Sequence, residues 1–215
     1  MNLDNLPADI FIKRVTYLPF DTVVTLCKTE KYNDYCTSER YSNEWRQIIE
    51  DTYKNNVYDY QGKLNKIQKK YPGYNYLVYT EFVKLLDPAV QGMIYYLQND
   101  KTRFDSLSNE QKFFALFLLN KPNEMEKYNK NSRATNNLIK LAKGGKISQQ
   151  DLDDILYDYY YIGVNFIKAL MNKGADIHGH RDLIFKMSQN PDITNFGIEH
   201  GADTVFKEGD PNRFY

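Results

Sequence analysis

Cysteine is scarce in this chain of 215 residues, which holds Cys27 and Cys36 and no others. Nine positions apart, they make neither the multi-cysteine framework of a stapled secreted domain nor a CxxC metal or redox pair. Cys27 lies in an apolar segment, where burial keeps a thiol neutral and unreactive, so no nucleophilic role is expected of it. A reducing intracellular setting is the expectation. Excess charge is lacking as well. The 28 Lys and Arg balance 28 Asp and Glu, so no global field draws in nucleic acid, an anionic membrane or a basic partner. Long apolar runs are missing too: the longest, Phe113 to Leu119, falls far short of the roughly 20 residues that span a bilayer. The first residues carry no apolar leader. A soluble, intracellular protein is expected.

Chemistry-bearing clusters are equally sparse. His178, His180 and His200 are the three histidines; an HxH pair with a third ligand could hold a metal, but their place at turns favours capping hydrogen bonds. Asp151, Asp153, Asp154 and Asp158 lack the central glycine and terminal glutamate of a calcium loop and read as a solvated helix face. Gly144-Gly145-Lys146 closes a helix, whereas phosphates gather at helix beginnings. No nucleophile stands beside a base. The expectation is a non-enzymatic protein with neither metal nor cofactor.

What the chain does have is helical patterning. Pro7 suits a first helical turn, and Ile10, Phe11, Val15 and Leu18 fall mostly along one face. Pro19 breaks that segment, and Val23, Val24, Leu26 and Cys27 make a second. A third piece runs from Lys31 to Cys36, and Trp45, Ile48 and Ile49 recur at helical spacing in a fourth. Residues 53–80 interleave Tyr53, Tyr58, Tyr60, Tyr71, Tyr74, Tyr76 and Tyr79 with lysines. That mixture suits either packing or the stacking of single-stranded nucleic acid, and packing is the simpler expectation. The basic excess over 101–146 likewise reads as solvated faces rather than a phosphate patch.

Beyond Asp87-Pro88 a helix-turn-helix rhythm sets in. Val90, Met93, Ile94 and Leu97 form a stripe, and Phe113 to Leu119 is apolar all round and must be central. Asn137 to Lys143 closes on Gly144-Gly145, and Ser148 with Asp151 caps a stripe of Leu152, Ile155, Leu156, Tyr159 and Ile162. No period-2 alternation is long enough for a strand. The fold class is all-α, in three segments: 1–52, a connecting 53–86, and 87–215.

Two resemblances follow from these residues. Leu6-Pro7, Ile10, Val15, Leu18-Pro19, Val23-Val24, Leu26-Cys27-Lys28 and Trp45 resemble an F-box, with Lys31-Tyr32 where many F-boxes carry a tryptophan. Residues Phe166 to Ile177, with Gly174-Ala175-Asp176, and the later Gly201-Ala202-Asp203 resemble shortened, degenerate ankyrin repeats without the Thr-Pro-Leu-His signature. The combination looks like F-box/ankyrin proteins of large DNA viruses of protists. It implies an adaptor in the host cytoplasm that docks on an Skp1-like subunit of a cullin ubiquitin ligase. Leu6, Pro7, Ile10, Val15, Leu18, Pro19, Val24 and Leu26 would face that subunit, and the repeats would select an unknown target. The alternative is a viral structural or binding protein whose N-terminal helices cap the repeats.

Overall fold

The computed structural model describes residues 6–206, and all regular structure among them is helical. The chain divides into two compact units, Met1–Ser108 and Asn109–Tyr215. The segments drawn from the sequence at 52/53 and 86/87 are therefore not the structural divisions, and their ends, 1–5 and 207–215, lie outside the described residues.

Unit 1 contains α1 (Ala8–Val15), α2 (Phe20–Cys27), α3 (Glu30–Thr37), α4 (Ser42–Ile49), α5 (Tyr60–Lys70), α6 (Asn75–Phe82), α7 (Pro88–Leu97) and α8 (Lys101–Ser106). Both N-terminal helices begin just after a proline, Pro7 and Pro19, whose fixed φ suits entry into a helix. A π-helical turn, Glu50–Lys54, follows α4. Residues 53–86 are no connector, because α6 is the centre of this unit. Its Tyr79, 1% exposed, lies 5.4 Å from the Phe20 ring, 5.9 Å from Trp45 and 6.0 Å from Tyr53, centroid to centroid. The Tyr53 hydroxyl donates to Tyr79 O at 2.7 Å, and the Tyr79 hydroxyl donates to Thr16 O at 3.1 Å. Aromatic rings with hydroxyl handles fill a core of short helices that could not stand alone. Residues 87–108 belong to the same unit: Arg103 stacks its guanidinium on Phe20 at 5.3 Å and pairs with Asp21 of α2.

Cys27 and Cys36 are joined as a disulfide with their Cα atoms 5.6 Å apart, and both residues are fully buried. The expectation of an inert free thiol is corrected here. Spacing along the chain gave no sign of it, because helices α2 and α3 pack on one another and bring their last turns together.

Unit 2 contains α9 (Asn109–Leu118), α10 (Pro122–Met125), α11 (Arg133–Ala142), α12 (Gln149–Tyr159), α13 (Val164–Met171), α14 (Leu183–Met187) and α15 (Pro191–Glu199). Helix α9 is central as expected, with Phe113 to Phe117 buried and Phe114 packed edge-on to Phe166 of α13 at 5.0 Å. Within the polar stretch 120–133 the short α10 buries Met125 completely, a helix the local pattern hides. Helix α11 starts earlier than the apolar stripe indicates, because Ser132 and Thr135 form a reciprocal capping box. Three helices end alike on a left-handed glycine: Gly144 (φ 80°), Gly174 (φ 101°) and Gly201 (φ 77°). In each, the next amide returns to a carbonyl five residues back: Gly145 to Lys140 at 2.8 Å, Ala175 to Leu170 at 3.0 Å and Ala202 to Gly197 at 2.9 Å.

Candidate functional site

The N-terminal helices have two faces. Phe11, Ile12, Val15, Phe20, Val23 and Cys27 are fully buried. Of the residues assigned to docking, Pro7 and Ile10 are exposed, and Leu6, Leu18, Pro19, Val24 and Leu26 are half-buried. Val15 is the exception: it has no accessible surface and serves the core of unit 1 alone, so its place in the docking set is withdrawn. Its spacing from Phe11 and Ile12 puts it on the inward stripe, where burial of one valine contributes roughly 1.5–3 kcal/mol.

A pocket of about 660 Å³ opens in unit 1, lined by α1, α4, the π-helical turn, α6 and α7. Lys13, Glu44 and Asp51 supply its charges, and Tyr17, Ile48 and Leu97 its apolar surface. Deeper lie Tyr79 and Gln98; Gln98 Nε2 donates to the Tyr79 hydroxyl. Burial holds the Tyr79 phenol well above its ordinary range, with a Thr52 hydrogen bond pulling it partly back. Nothing in the sequence marks this pocket, because its wall is assembled from five separate segments.

The turns of unit 2 hold the other assigned residues. Gly174, Asp176, Gly201 and Asp203 are exposed, Ala202 is half-buried and Ala175 buried. Asp153 is more than a solvated side chain: its Oδ1 accepts from the Asp176 amide at 2.9 Å and from Gln149 Nε2 at 2.8 Å. The histidines are engaged separately. His178 Nδ1 lies 2.8 Å from Asp182 Oδ1, the His180 ring 4.9 Å from Tyr157, and His200 Nδ1 2.8 Å from Phe196 O. Among the described residues no three His, Cys, Asp or Glu side chains converge as metal ligands.

Two further features bear on nucleic acid. Tyr53, Tyr60, Tyr76 and Tyr79 are buried, which withdraws them from any stacking platform. Basic residues of 101–146 face local carboxylates: Lys130 to Glu110 at 2.5 Å, Lys143 to Glu126 at 2.6 Å and Arg133 to Asp151 at 2.7 Å. Among the described residues no helix is long and apolar enough to cross a membrane.

Comparison with protein-family models gives no match. Neither a curated protein nor a solved structure matches the chain.

Proposed function

We propose that the chain is a non-enzymatic interaction module, an adaptor that docks through its N-terminal helices on an Skp1-like subunit of a cullin ubiquitin ligase and offers unit 2 to a target protein. The observation that carries this reading is the division of labour along α1 and α2. One set of apolar side chains is fully buried, while Pro7, Ile10, Leu18, Val24 and Leu26 keep accessible surface. Short helices presenting aliphatic side chains suit docking into a partner's groove, where a few central apolar residues carry most of the affinity. The Gly-Ala-Asp turns, resembling ankyrin repeats, support a protein-binding role for unit 2.

Such docking belongs to the cytosol or nucleus, where glutathione keeps thiols reduced. The Cys27–Cys36 pair must then hold its place as two packed thiols as well as a disulfide. Titration of the purified protein with an Skp1-type subunit tests the reading: saturable one-to-one heat supports it, and absence of binding by the reduced and the oxidised protein alike rejects it.

A further inference from the structure

We propose that the pocket of unit 1 is a binding site for an organic cation, an ammonium or guanidinium group carried on an apolar stem. The warrant is a mismatch of hydrogen-bonding groups. The Tyr79 hydroxyl has one hydrogen and gives it to Thr16 O at 3.1 Å, so toward Gln98 it can only accept. That fixes Gln98 Nε2 on the phenol and leaves Gln98 Oε1 as the other end of the amide. Gln98 is 6% exposed, and its Oε1 has no hydrogen-bond partner. Glu44 Oε2 is likewise buried without a partner. Both residues line the pocket. Unpaired buried acceptors are unfavourable, and a group bringing only donors completes them. Guanidinium offers five N–H donors and ammonium three, and neither has an acceptor to leave unmatched.

Charge and shape agree with that choice. Glu44 and Asp51 outnumber Lys13 among the charged lining residues, and one Asp51 oxygen is already occupied by Gln47 Nε2 at 2.8 Å. Glu44, whose buried Oε2 has no hydrogen-bond partner, is the carboxylate that pairs with an incoming cation. Ile48 and Leu97 give an alkyl stem an apolar wall. Tyr17, 70% exposed, adds an aromatic ring that a cation can face. The volume of about 660 Å³ lies within the roughly 300–1,000 Å³ of small-ligand pockets. The cation could come from a free polyamine or from an arginine side chain of a peptide, and the two are separable by experiment. None of the residues assigned to docking on α1 and α2 lines the pocket.

Trp45, the single tryptophan, follows Glu44 in α4 and stands 5.9 Å from Tyr79, so its fluorescence reports occupancy. The 215-residue chain is titrated with spermidine, with a blocked Ala-Arg-Ala peptide and with the same peptide carrying neutral citrulline. The expected result is saturable binding of at least one cation, with the citrulline peptide at least tenfold weaker than the arginine peptide wherever the latter binds. Glu44→Gln and Gln98→Leu are each expected to weaken the cation at least tenfold. Binding of spermidine alone assigns a free amine, and binding of the arginine peptide alone assigns a protein side chain. The proposal is overturned if neither cation binds at millimolar concentration or if citrulline binds as tightly as arginine. It is also overturned if both variants, folded by thermal melting, keep wild-type affinity.

Discussion

The amide of Asp176 donates to Asp153 Oδ1 at 2.9 Å, and in the next Gly-Ala-Asp turn the amide of Asp203 donates to Asp182 Oδ2 at 3.0 Å. In both cases a carboxylate from an earlier segment of unit 2 receives the first amide beyond the Gly-Ala step, so two successive turns are built alike. Gln149 Nε2 adds a bond to Gly174 O at 3.0 Å in the first. Asp153→Ala removes an acceptor from the Asp176 amide and is expected to destabilise unit 2 by about 1 kcal/mol, the usual net worth of such a bond. Chemical denaturation measures it, and a variant with an unshifted midpoint would show that the turn holds itself.

Backbone geometry makes a sharper demand. At Gly174 (φ 101°) a side chain is strained whatever space surrounds it, so Gly174→Val is expected to cost roughly 1–2 kcal/mol. Gly197 is a different case: an added Cβ would lie 2.5 Å from Phe185 Cδ1, inside a buried contact between α14 and α15. Gly197→Ala should cost about 1–3 kcal/mol by overpacking. Equal stability of both variants with wild type would contradict these packing assignments.

These turns were the most legible part of the fold. Gly174 and Gly201 each end an apolar stripe, and only a left-handed residue closes such a helix cheaply, so their positive φ follows from the residues themselves. The all-helical class follows from the same local signals. Long-range consequences were hidden. Tyr79 as the centre of unit 1, Arg103 reaching Asp21, and the Cys27–Cys36 bond all join segments whose proximity no local period encodes. Val15 was misplaced because a helix too short to show its full stripe leaves inward and outward aliphatics looking alike. The pocket had no sequence signal, since its lining residues are ordinary ones scattered from Lys13 to Gln98.

The disulfide closes a short loop between α2 and α3. Loop-closure entropy at this separation gives a stabilisation of about 2–3 kcal/mol in the oxidised protein. Denatured, unreduced protein is expected to show no free thiol, and reduction should lower the unfolding midpoint without loss of helix. Two titratable thiols per chain in protein purified without reductant would contradict the bond.

Alkaline pH tests the tyrosine core. Burial, with Glu50 adding to it, pushes the Tyr60 phenol from 10.0 up to about 12, and burial drives Tyr53 well above its ordinary value. A folded-state pKa above the unfolded one means that the native state holds its proton more tightly. The stabilisation is therefore complete below pH 10 and is lost as pH rises through about 12. Phenolate absorbance should show a late, cooperative group of tyrosines that titrates with unfolding. Early, non-cooperative titration of every tyrosine would show that these rings are not buried.

If the accessible aliphatic face of α1 and α2 binds a partner as proposed, the Leu6→Ala, Pro7→Ala double variant should reveal it. Leu6 is half-buried and Pro7 exposed, so truncating them should shift the melting temperature by only a few degrees, about 1 kcal/mol in a domain of this size. Calorimetric titration with an Skp1-type subunit is predicted to show at least about tenfold weaker binding than wild type, roughly 1.4 kcal/mol. No detectable binding by the wild-type protein, or a double variant that unfolds, would contradict the claim and leave these helices as part of the fold alone.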